Sequence, residues 1–196
     1  MNLPNQLTVA RIILTVLFVI SLSVPWALGN TAALVLFILA SITDYADGEI
    51  ARRLNMETNF GRLMDPLADK VMMTAAFICL VGDRVLPPWV AIVIISREFM
   101  ITGLRLLAAS RGVVLPAESL GKHKMVWQII AVIFFFLLRS ARELVGILSS
   151  LAGAARAIPW NWSTPIGWTL IVIALGLTVY SGIGYLWKHR ALISEL

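Results

Sequence analysis

Four aspartates define the chemistry open to this chain. Asp44 and Asp47 are three residues apart, and Asp65 and Asp69 are four apart. Either spacing puts two carboxylates on one face of an α-helix. They stand in the stretch DYADGEIARRLNMETNFGRLMDPLAD, residues 44–69, which holds six of the chain's eleven acidic residues and is flanked by apolar runs. Carboxylates gathered beside such runs repel one another and lose hydration, and divalent cations relieve both costs. Oxygen donors of this kind select hard ions, magnesium or manganese first. His123 and His189 each sit beside Lys or Arg in polar segments and read as interfacial residues, so no cluster suggests zinc.

Two helices must aim these pairs. Asp44 and Asp47 fall near the end of one apolar helix and Asp65 and Asp69 near the start of the next, with the turn-favouring Asn55, Thr58, Asn59 and Gly61 between them. A helix hairpin of this form can converge both pairs on one point. The plainer alternative makes the aspartates helix caps and ion-pair partners of Arg52, Arg53, Arg62 and Lys70. That alternative gives no reason for Gly48, Ala51 and Gly61 at their offsets, where small side chains allow close approach by a helix or a bulky ligand. Arg52 adds a planar, permanently charged donor suited to phosphate oxygens. Carboxylates, metal, arginine and close backbone approach together read as a nucleotide diphosphate site.

The rest of the chain supplies the scaffold. Of 196 residues, 59% are hydrophobic and 14% charged, against about 25% charged in soluble domains. We expect an all-α polytopic membrane protein, residues 1–196 forming one integral membrane catalytic domain. Residues 12–43 are uncharged, too long for one span of about 20 residues, and are broken at Pro25, Gly29 and Asn30. They read as two helices. Further spans are expected at 60–82, 88–110 and 122–141, and a last one from Thr169 onward, giving six transmembrane helices. The first lacks a cleavage pattern and reads as a retained helix. Residues 141–163, weakly amphipathic and ending in Pro159, Trp160 and Trp162, are expected along the outer interface.

Lysine and arginine place both termini, the 52–62 loop and the 111–124 loop in the cytoplasm, and Arg84, Arg139, Arg142 and Arg156 outside. The net charge of +5 suits an anionic bilayer surface, and nothing beyond charge suggests nucleic acid. The single cysteine, Cys79, excludes a disulfide framework and reads as a small core residue.

The spacing Asp44-x2-Asp47-Gly48-x2-Ala51-Arg52-x8-Gly61-x3-Asp65-x3-Asp69 resembles the signature of the CDP-alcohol phosphotransferases, with all eight fixed positions matched. The resemblance implies six helices, release of CMP from a CDP-linked lipid, and a homodimer in a bacterial cytoplasmic (inner) membrane with its active site facing the cytoplasm. It implies that Asp44, Asp47 and Asp65, helped by Asp69, hold two magnesium or manganese ions, and that Asp69 is the general base. Gly48 and Arg52 would contact the CDP moiety of CDP-diacylglycerol, Ala51 and Gly61 would give it room, and Thr58 would lie near the nucleotide. Pro4-Asn5-Gln6-Leu7-Thr8 resembles the family's entry segment, which adds Asn5 and Thr8 to the donor site, although both residues also suit plain helix capping. No serine or cysteine nucleophile belongs to the stretch, which favours direct in-line attack.

The acceptor must be read elsewhere. Arg97, Glu98 and Arg105 put charge inside an apolar helix, where ionisable residues face a polar cavity. Glu98 and Arg105 share a face, and Lys122 and Lys124 open the next span. Arg97–Glu98 also reads as a structural pair, and the lysines as a cytoplasmic flank. SREFMITGLRLLAASRG followed by GKHKM resembles the phosphatidylglycerophosphate synthase branch, which implies sn-glycerol 3-phosphate as acceptor, bound through Arg105, Arg97, Lys122 and Lys124. Inositol phosphate, serine and phosphatidylglycerol are competing acceptors. A divalent-cation transporter is the reading from another class, but such proteins place carboxylates at broken helices near the midplane, not at the end of a helix hairpin.

Overall fold

The computed structural model describes residues 3–54, 59–113, 115, 119–151 and 163–190, with side chains over 9–43, 70–113, 115, 123–150 and 165–190. These residues form α1 (Leu3–Ser23), α2 (Gly29–Leu54), α3 (Asn59–Gly82), α4 (Pro88–Ser110), α5 (Ser119–Leu151) and α6 (Ser163–Lys188), with no strand among them. The all-α expectation holds. Two expected boundaries move. Residues 141–151, expected as an interfacial segment, continue α5, while 152–162 lie outside the described residues. The last helix begins at Ser163, six residues before Thr169.

Helix ends follow local chemistry. Pro88 occupies the first position of α4, where its missing N–H costs nothing. The same helix stops in a Schellman motif, with Val113 N–H donating to Ala108 O and Gly112 N–H to Ala109 O. Gly112 takes the left-handed position at φ +78°. The α3 end repeats this pattern through Val85 to Leu80 O and Arg84 to Val81 O, but there the left-handed residue is Arg84, at φ +58°.

The chain divides into two compact units, Met1–Cys79 with Val132–Thr164 and Leu80–Ala131 with Pro165–Leu196. In the first, Phe18, Phe37 and Phe136 from α1, α2 and α5 are fully buried. Their ring centroids lie 5.3–6.5 Å apart, with Phe18 edge-on to Phe136. The α1–α2 turn is closed by the Trp26 indole donating to Ser21 O. Gly29 passes so close that a Cβ there would meet Ser21 O at 2.6 Å.

The start of α2 is capped from another helix. Gly29 N–H donates to Trp26 O and Ala32 N–H to Leu28 O. The two donors between them go to Glu143 of α5, Asn30 N–H to Oε1 at 3.0 Å and Thr31 N–H to Oε2 at 2.8 Å. All four N–H groups that a helix start leaves unsatisfied are thus met. Burial works against the charge of Glu143, but the Thr31 hydroxyl, the two backbone N–H groups and the Asn30 amide outweigh it and hold the carboxyl below its ordinary value. A carboxylate accepts only, so the Thr31 proton goes to Glu143 and Ser140 donates to Thr31. Arg139 donates to Asn30 Oδ1 from over the Phe136 ring.

In the second unit, Ile101, Ala108, Leu115 and Tyr185 form an apolar cluster flanked by Leu104 and Leu186. Within each unit the buried positions include many alanines, at 33, 40, 76, 91, 108, 131 and 174, while Ile13, Ile42, Ile78, Ile92, Leu148, Val172 and Ile183 are exposed. Small residues inside and large apolar ones outside is the pattern of helices packing in lipid, where close backbone approach and not water drives association. Residues Pro165–Lys188 form one helix long and apolar enough to cross a membrane.

Candidate active site

On α2, Ala33, Phe37 and Ala40 are buried. The helix continues unbroken to Leu54, so its register carries the same stripe on through positions 44, 47, 48 and 51, which are Asp44, Asp47, Gly48 and Ala51. On α3 the buried Met72 and Ala76 follow Asp65 by 7 and 11 residues, and Gly61, Asp65 and Asp69 succeed one another every four. Both aspartate pairs therefore fall, by backbone position, on consecutive helices of the first unit, at helical spacing from those buried residues. The side chains of Asp44, Asp47, Gly48, Ala51, Arg52, Gly61, Asp65 and Asp69 lie outside those described, as does Thr58 altogether. Among the described side chains no cluster of three His, Cys, Asp or Glu could hold a metal. The donor set itself fits a hard divalent cation: four carboxylates, with neither imidazole nor thiolate among them.

Asn5 and Thr8 stand inside α1, which begins at Leu3, so Thr8 is not a cap residue. Three residues further on, Arg11 is buried at 5% exposure, and the Thr15 hydroxyl lies within reach of both Arg11 O and Met72 Sδ. In the sequence Arg11 follows the Pro4–Thr8 run that resembles the family's entry segment and also flanks an apolar run; its burial is what the structure adds.

Three of the expected acceptor cations are described, all in the second unit. Lys124 forms an ion pair with Glu98 Oε1, and Arg97 Nη1 lies 3.6 Å from the same oxygen. Lys124 is buried, so it is no flanking charge, whereas Arg105 is exposed. Lys122 lies on α5 with its side chain outside those described. Arg97 also reaches α6, donating from Nη2 to Ser181 Oγ at 3.1 Å. One turn below Lys124, Gln128 donates to Thr178 Oγ1 at 3.0 Å, and Thr178 donates onward to Ala174 O. Gln128, Thr178, Ser181 and Gly182 are all buried. Sequence reading passed over them because α6 is apolar on average. The signal was present in Thr178, Ser181, Gly182 and Tyr185 at i, i+3, i+4 and i+7, a small polar face on an apolar helix.

The family model described as CDP-alcohol phosphatidyltransferase matches residues 1–180. A Bacillus subtilis protein named CDP-diacylglycerol–glycerol-3-phosphate 3-phosphatidyltransferase is 47% identical over 156 residues, covering 74% of this chain and 81% of its own. Proteins of the same name from Rickettsia bellii and Pseudomonas fluorescens are each 32% identical, over 94% and 96% of this chain and 93% and 92% of theirs. With the aspartate signature complete and nearly the whole chain matched, the chain belongs to the CDP-alcohol phosphatidyltransferase family.

Proposed function

We propose that this chain transfers the phosphatidyl group of CDP-diacylglycerol to sn-glycerol 3-phosphate, giving phosphatidylglycerophosphate and CMP. The observation that carries this reading is the complete signature in the sequence, whose two aspartate pairs fall on the consecutive helices α2 and α3. The names of the relatives support the choice of donor and acceptor.

In this reading Asp44, Asp47, Asp65 and Asp69 would hold magnesium or manganese. When bound, such ions neutralise the diphosphate and stabilise the CMP leaving group. Arg52 offers its planar guanidinium to the diphosphate oxygens. Gly48, Ala51 and Gly61 leave room for the nucleotide, and Asn5, Thr8 and Thr58 line its approach. Asp69 takes the proton of the acceptor hydroxyl. The hydroxyl oxygen forms the new P–O bond as the bond to CMP breaks, and the proton stays on the Asp69 carboxyl. A carboxylate is a weak base at its ordinary pKa, so proximity to the hydroxyl does most of what Asp69 contributes.

Arg97, Arg105, Lys122 and Lys124 serve the phosphate of the acceptor. A phosphate-bearing acceptor explains several cations on two helices, where serine would not need a dicationic phosphate pocket. We further read six spans, both termini and the site on the cytoplasmic side of a bacterial inner membrane, and a homodimer. The two units act as one catalytic domain, which the family match over residues 1–180 supports. A panel of acceptors supplied with CDP-diacylglycerol and scored by lipid product tests the assignment. Sn-glycerol 3-phosphate is expected to be preferred, and faster transfer to serine, inositol phosphate or phosphatidylglycerol would overturn it.

A further inference from the structure

Arg97 lies across α6 at Gly182, whereas Gly176 and Gly184 of the same helix have nothing within 4 Å of an added Cβ. A Cβ added to Gly182 would meet Arg97 Cγ at 2.9 Å, Nε at 3.2 Å and Cδ at 3.7 Å. These are stem atoms, so the side chain could not yield by swinging its tip; it would have to change rotamer. The next residue back, Ser181, accepts from Arg97 Nη2, and its own hydroxyl donates to Thr178 O. Gly182 and Ser181 thus form a notch that takes the stem in one and the guanidinium edge in the other. From there Arg97 Nη1 faces Glu98, which holds Lys124. One chain of contacts links α6 to both cations through α4.

We infer that Gly182 is a positioning residue for the acceptor site: its missing side chain fixes Arg97, and through Glu98 the lysine on α5, for recognition of a phosphate-bearing acceptor. The inference rests on the reading that Arg97 and Lys124 serve the acceptor. It adds that α6, which carries no cation in this cluster, sets their geometry.

The test is steady-state kinetics on the purified full-length protein in mixed micelles, varying sn-glycerol 3-phosphate and CDP-diacylglycerol separately. Gly182→Ala is expected to raise KM for sn-glycerol 3-phosphate roughly tenfold, the loss of part of one charge-assisted hydrogen bond, with KM for CDP-diacylglycerol unchanged. Alanine favours the helix over glycine, so the substitution does not weaken α6 itself. In the Arg97→Ala background the same change is expected to have no further effect, because the residue it displaces is gone. Ser181→Ala, which adds no bulk, is expected to raise the same KM by a smaller factor. A raised acceptor KM in Arg97→Ala with none in Gly182→Ala or Ser181→Ala would overturn the inference and leave the acceptor reading intact. Additive effects in the double variant would also overturn it. An unchanged acceptor KM in Arg97→Ala would remove the reading and the inference together.

Discussion

Glu143 binds Thr31 twice, accepting from its backbone N–H at 2.8 Å and from its hydroxyl at 2.7 Å, although 112 residues separate them. This ties the N-terminus of α2 to α5 at the end of α2 remote from Asp44 and Asp47. A helix start carries a partial positive charge, so an anionic cap there is favourable as well as satisfying the donors.

Removing this cap is expected to be costly. Glu143→Ala orphans two backbone N–H groups and a hydroxyl, and a loss of about 1–3 kcal/mol is expected. The fold holds the carboxyl below its ordinary value. Its contribution is therefore complete above the unfolded value of about 4.3 and is lost as pH falls through the lower folded value. Thermal unfolding in detergent is expected to show a constant gap between wild type and Glu143→Ala from about pH 5 upward, narrowing as the solution becomes more acidic. A gap that widens on acidification would contradict the assignment.

Arg84 ends α3 in a left-handed conformation that a Cβ disfavours. Arg84→Gly is expected to raise stability by about 1 kcal/mol, read as a higher unfolding midpoint at unchanged activity. A lower midpoint would mean that the arginine side chain contributes more than its backbone costs.

Asp69→Asn tests the proton acceptor. Transfer is expected to fall by about 10²–10⁴-fold, while binding of CDP-diacylglycerol, followed by displacement of a labelled CDP-lipid, is retained. Undiminished turnover would remove Asp69 from the role of base.

Arg105→Ala tests the exposed member of the acceptor set. KM for sn-glycerol 3-phosphate is expected to rise several-fold more than KM for CDP-diacylglycerol, by roughly the value of one charge-assisted hydrogen bond. Equal effects on both substrates would place Arg105 outside the acceptor site.

The scaffold was readable wherever punctuation is local. Pro87 before α4 and Pro88 at its first position, with Arg111 and Gly112 after it, mark both ends within two residues. The continuation of α5 past residue 141 to Leu151 was not legible, because Arg139, Arg142 and Glu143 interrupt an apolar run. The partners of Arg139 and Glu143, Asn30 and Thr31, lie more than a hundred residues away in sequence. The aspartate signature was legible because all of it falls within 26 residues and obeys helical spacing. The Arg97–Ser181 contact, which spans 84 residues, was not. Its α6 half is made of serine and glycine, residue types that draw no notice in an apolar helix until a charged neighbour is seen lying on them.

The central claim is metal-dependent phosphatidyl transfer, and CMP release measures it most directly. The purified protein is given CDP-diacylglycerol in mixed micelles with magnesium or manganese, with and without sn-glycerol 3-phosphate. CMP is expected to appear only when the acceptor is present, in equal amount to phosphatidylglycerophosphate, to cease on chelation and to return when the metal is restored. No CMP under any of these conditions, with divalent ions crossing liposomes that contain the protein, would contradict the account and make the aspartates a transport site.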